Sequence, residues 1–146
     1  MFDPKVSLSD LNAFSTGTMV EHIGIEFIEL GTDYIKAKMP VDHRTFQPLK
    51  MLHGGASIAL AETLGSVAAH ISVNRETHHC VGLEINANHI KSVKSGYVYG
   101  TARPIHTGKS TQVWEVLIED EADQLVCVSR ITIAILKGTA ETKQNN

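Results

Sequence analysis

At 146 residues the chain is long enough for one domain with its own hydrophobic core and too short for two of ordinary size. Hydrophobic residues make up 42% and charged residues 20%, the balance of a soluble globular protein. The net charge of −3 excludes a general basic field for nucleic acid or anionic lipid, so an anionic ligand must be met by a local patch.

The N-terminal MFDPKVSLSD has neither the apolar core nor the cleavage pattern of a signal peptide. Ser7-Leu8-Ser9-Asp10 is a capping-box pattern that opens a short helix, and Thr18-Met19-Val20-Glu21 repeats it. Residues 24–30 read as a strand with Ile25 and Phe27 inward, followed by a Gly31-Thr32-Asp33 turn. Residues 34–41 alternate, with Ile35, Ala37 and Met39 against Lys36 and Lys38, as a half-buried strand does. A polar loop with Pro48 covers residues 42–52.

Residues 54–71 form the only long helix expected, favoured by length and by Ala and Leu content. It is apolar nearly all round, which predicts burial on most faces. A membrane-spanning reading of residues 51–73 is disfavoured by Glu62, two histidines and several Gly, Ser and Thr. After a polar loop at 74–79, four strands are expected at 80–90, 97–105, 110–120 and 124–136. Their short connections predict antiparallel neighbours. Residues 1–137 thus make one domain and 138–146 a polar, disordered tail. The fold class is α+β: an antiparallel sheet of about six strands curled around one helix, with edges that favour oligomerisation. Cys80 and Cys127 lie in apolar runs without CxxC or zinc spacing and read as buried thiols of a reducing, cytoplasmic compartment.

The chemistry gathers at the helix. From Met51 to Val73, Glu62 is the only Asp, Glu, Lys or Arg. A lone carboxylate in apolar surroundings is expensive unless hydrogen-bonded, paired or employed. It suits a general base or nucleophile. Ser66, one turn on, shares its face. Gly54 and Gly55 at the helix start leave N–H donors that suit a developing oxyanion, and Gln47 supplies a second donor. His53 is placed to hold a leaving group or orient a water. Glu62 lies roughly 13 Å from His53 along the axis, too far for both to reach one reacting atom from a single chain. A site using both therefore needs a second subunit. The eight histidines show no HxxxH or HExxH spacing, so no metal is expected.

TFQPLKMLHGGASIALAETLGS (residues 45–66) resembles the PaaI-like hotdog-fold acyl-CoA thioesterases. The branch includes the 4-hydroxybenzoyl-CoA and 1,4-dihydroxy-2-naphthoyl-CoA thioesterases and the proofreading thioesterases of enterobactin synthesis. The likeness extends through MVEHIGIEF, MPVDHRTFQP, VGLEINANHIKSV, GTARPIHTGKSTQVWEV and CVSRITIAI. The resemblance implies a hotdog fold and a dimer with two composite sites, paired into a tetramer. It implies Glu62 as catalytic nucleophile or base, Gly54 N–H and Gln47 as carbonyl-polarising donors from the other subunit, His53 near the sulfur, and Ser66 as a positioning residue. It also implies coenzyme A contacts at Gly82, at His89, Ile90, Lys91 and Ser92, and at His106, Thr107, Gly108, Lys109, Ser110 and Thr111. Lys91, Lys109 and His89 would meet phosphates, and Gly108 would allow close backbone approach.

The expected activity is hydrolysis of an aromatic or short-to-medium acyl-CoA, or the same acyl group on a carrier protein, without cofactor, nucleic acid or membrane. Two other readings use the same fold: a hydratase or dehydratase with His53 and Glu62 on either side of the acyl β-carbon, and a non-catalytic acyl-CoA-binding protein. Thiol release from a saturated acyl-CoA separates hydrolysis from both.

Overall fold

A computed structural model describes residues 2–138. Its elements are α1 (Leu8–Phe14), α2 (Met19–His22), β1 (Glu26–Leu30), β2 (Ile35–Pro40), α3 (Gly54–Ile71), β3 (His78–His89), β4 (Tyr97–Thr107), β5 (Thr111–Glu119) and β6 (Leu125–Lys137). Both expected caps form. Ser7 and Asp10 close a reciprocal capping box on α1. At α2 the Thr18 hydroxyl accepts from Val20 N–H, while Glu21 takes the Gly17 N–H instead of completing a second box.

The six strands make one antiparallel sheet in the order β1-β2-β4-β5-β6-β3. Its inner face is built by alternation: Ile35, Ala37 and Met39 on β2, Trp114, Val116 and Ile118 on β5, Ile131 and Ile133 on β6. These side chains pack on Leu60, Ala61, Leu64 and Ala68 of α3. Glycine lets the layers close. A Cβ on Gly65 would stand 2.3 Å from Ile131 Cγ2, and one on Gly100 would stand 2.6 Å from Leu64 Cδ1. Trp114 is fully buried with its indole N–H given to Gln112 Oε1 at 2.9 Å, and Phe2 stacks on its ring.

Two expectations are corrected. The short connection predicts β3 beside β4, yet β3 pairs with β6 along its whole length and ends the sheet. Residues 90–96 are too long for a tight hairpin. They cross the end of the sheet, where buried Val93 accepts from Leu52 N–H at 2.8 Å, above the start of α3. In addition, α3 is not buried on most faces. Its sheet side is buried, whereas along the stripe of Glu62, Ser66 and His70, one turn apart, the first two are half-buried and His70 is exposed. One curved sheet covers one face of the helix; among the described residues the other face meets only the N-terminal segment, near Ser66, Val67 and His70. The tail at 139–146 lies outside the described residues. Gly138 is tied in by its N–H to Thr77 C=O at 2.9 Å.

Candidate active site

The loop before α3 is a fixed turn. Asp42 C=O accepts the Thr45 and Phe46 N–H groups, both at 2.9 Å. Gln47 N–H reaches Met51 C=O at 2.8 Å, with Lys50 in the left-handed region at φ 60°. The Gln47 side-chain oxygen accepts from Leu49 N–H. Its NH2 group has no partner among the described residues and remains a donor.

His53 is the N-cap of α3, and its Nδ1 accepts Gly55 N–H at 2.7 Å. Ala56 and Ser57 donate to His53 C=O. Among the described residues Gly54 N–H has no hydrogen-bond partner. It is an unused donor at the positive end of an 18-residue helix. The His89 imidazole lies against it: a Cβ on Gly54 would stand 2.9 Å from His89 Nε2. Gln47, Gly54, Ser57, His89 and Lys91 line one hollow of about 300 Å³.

The carboxylate lies elsewhere. Glu62 is half-buried and accepts from Ser66 Oγ at 2.9 Å, the geometry expected of i and i+4 on one helical face. Gly82 of β3 backs it; a Cβ there would come to 3.1 Å from Glu62 Oε1. A β-bulge between Gly82 and Glu84 shapes the strand at this point. One chain thus holds two separate groups of candidate residues along α3 and the strand β3: donors at Gly54 and Gln47, and a carboxylate about 12 Å along the axis.

The Thioesterase superfamily sequence profile matches residues 49–127. The chain belongs to the thioesterase superfamily. It is 49% identical over 132 residues to 1,4-dihydroxy-2-naphthoyl-CoA hydrolase of Escherichia coli, covering 90% of this chain and 96% of that one. It is 50% identical over 131 residues to the proofreading thioesterase EntH of Cronobacter sakazakii, covering 90% and 95%. A mutant thioesterase from Pseudomonas aeruginosa matches the structure with a TM-score of 0.92 at 39% identity, over 94% of this chain and 99% of that one. The fold is the hotdog fold, and the enzyme is a thioester hydrolase.

In this thioesterase the segments singled out for coenzyme A divide between the two ends of the sheet. His89, Ile90, Lys91 and Ser92 line the same hollow as Gln47 and Gly54. Gly82 lies against Glu62. Residues 106–111 turn between β4 and β5 at the other end, where Ile135 N–H reaches Ser110 C=O at 2.8 Å and Thr111 pairs with Ala134. There Lys109 and Ser110 are exposed, and the His106 ring folds over Gly108. Lys91 is already engaged, since its ammonium contacts Asp120 and Gln124 and holds the Asp120 carboxyl below its ordinary range. The positions of His89 over Gly54 and of Asp120 beside Lys91 have no local signal in the sequence, because pairing between distant strands brings them there. Both cysteines are free, Cys127 buried and Cys80 half-buried, and burial pushes both thiols up. No described helix is long and apolar enough to cross a membrane.

Proposed function

We propose that this thioesterase hydrolyses an acyl-CoA to the free acid and coenzyme A, at sites each completed by two copies of the chain. The separation of the two half-sites along α3 carries this reading. Both lie on β3, whose outer edge is unpaired among the described residues. Antiparallel pairing of β3 with a second copy, about a two-fold axis near Ile85, sets Gly82 of one copy beside His89 of the other. Glu62 of one copy then faces Gly54 and Gln47 of its mate. The same rotation brings the exposed Lys109 turn of one copy toward the His89–Ser92 segment of the other, where the nucleotide's phosphates would lie.

In that site the thioester oxygen accepts hydrogen bonds from Gly54 N–H and the Gln47 amide, which stabilise the charge that develops on it. Glu62 either attacks the carbonyl carbon or takes a proton from the water that does, with Ser66 holding one carboxylate oxygen. The carbon–sulfur bond breaks, the thiol leaves with a proton, and water supplies the acid's new oxygen. His53 acts as a positioning residue that fixes the glycine turn. The name of the E. coli relative supports an aromatic acyl group on coenzyme A as substrate. Two free thiols fit a reducing cytoplasm. Two dimers pair into a tetramer in this reading, which molar mass by light scattering checks.

Thiol release over a panel of aromatic and aliphatic acyl-CoAs tests the activity. Glu62→Gln is expected to lower kcat by roughly 10²-fold or more. Near-wild-type turnover in that variant would sink the assignment.

A further inference from the structure

A cavity of about 580 Å³ lies under α1 and begins at Ser66, the residue hydrogen-bonded to Glu62. Its apolar lining comes from Val6, Leu11 and Phe14 of the N-terminal segment, Val67 of α3 and Cys80 of β3, with Asp10 on the α1 side. A second hollow of about 930 Å³ opens beyond it, lined by Phe2, Asp3, Asn74 and Glu76 among others. Lys5, His70, Ile71 and Arg75 line both. They form a rim shared by the two spaces, with Ile71 buried at its base and the Lys5, His70 and Arg75 side chains exposed.

The rim is fastened. Asp3 N–H caps the end of α3 through Ile71 C=O at 2.9 Å. The Asp3 carboxylate takes Arg75 Nη2 at 3.0 Å on one oxygen and Lys5 N–H at 3.0 Å on the other. Burial and the Arg75 charge both push His70 down from its ordinary pKa, so the ring facing the cavity is neutral at neutral pH. An apolar tail that passed this point would have to displace the His70 ring and strip solvent from the Asp3–Arg75 pair, which is unfavourable.

We propose that Lys5, His70 and Arg75 form the end wall of the acyl pocket and set the longest acyl group the enzyme accepts. This rests on the acyl-CoA reading above and adds a length limit to it. Glu62, Ser66 and His70 follow one another at four-residue steps, so the wall stands about 12 Å from the carboxylate along α3. An extended alkyl chain advances about 1.3 Å per carbon, which places the limit near about nine or ten carbons.

The test is kcat/KM for saturated acyl-CoAs from hexanoyl to hexadecanoyl, measured by thiol release. In the wild type, kcat/KM should fall about ten-fold or more between decanoyl and tetradecanoyl. His70→Ala and Arg75→Ala should raise the tetradecanoyl value by about ten-fold and leave hexanoyl within about two-fold of wild type. His70→Trp, which leaves the Asp3 fastening intact, should move the fall to chains shorter than decanoyl. A profile that the His70 variants leave in place, or activity restricted to aromatic thioesters, overturns the wall while the acyl-CoA reading stands. Absence of turnover on every acyl-CoA overturns both.

Discussion

His53 closes the first turn of α3 by accepting Gly55 N–H on Nδ1, which places its ring proton on Nε2. That cap holds the peptide whose Gly54 N–H has no partner among the described residues. Replacing His53 with Ala is expected to cost about 0.5–2 kcal/mol in urea unfolding and to lower kcat through misplacement of the Gly54 donor. Replacing it with Asn, a good N-cap, should restore both. Recovered stability without recovered kcat would instead assign the imidazole to the thioester itself. The sequence exposes His53, Gly54 and Glu62 because each breaks a local pattern: a histidine before paired glycines, and one charge in an apolar run. Gly82 and His89 break no such pattern. Their places beside Glu62 and Gly54 depend on how β3 registers on β6, including the bulge after Gly82.

At the level of elements, the helix, the two caps and all six strands are legible because each follows a periodicity or a capping rule within a few residues. The order of the strands is not, since short connections suggest neighbours and the 90–96 link only mimics a hairpin. One close contact sets how α3 sits on that sheet. Gly65 lets the helix settle on β6, with Ile131 Cγ2 occupying the space of a missing side chain. Both partners are fully packed in the core, so neither has room to yield. Gly65→Ala is therefore expected to destabilise by about 1–3 kcal/mol despite its better helix propensity. At roughly 2–4 °C per kcal/mol for a chain of this size, calorimetry should show a Tm lowered by at least about 2 °C. A raised Tm would mean that helix and sheet are packed less closely at this contact.

For the whole molecule, the free edge of β3 is the decisive surface. It is twelve residues long and displays Val81 at 41% and Leu83 at 60% exposure, an apolar edge of the kind that folded proteins cover. Pairing two such edges in the proposed dimer satisfies the backbone and completes two sites at once. This has a consequence that a single-chain site cannot share. Glu62→Gln and Gln47→Ala each damage every site of their own homodimer. In a mixed dimer one site carries both lesions and the other carries neither. Unfolding and refolding the two inactive variants together should make about a quarter of the sites wild type, if subunits assort at random. Thiol release should rise accordingly above the sum of the separate variants. Were each site built within one chain, every site in the mixture would keep one lesion, and refolding together would restore nothing.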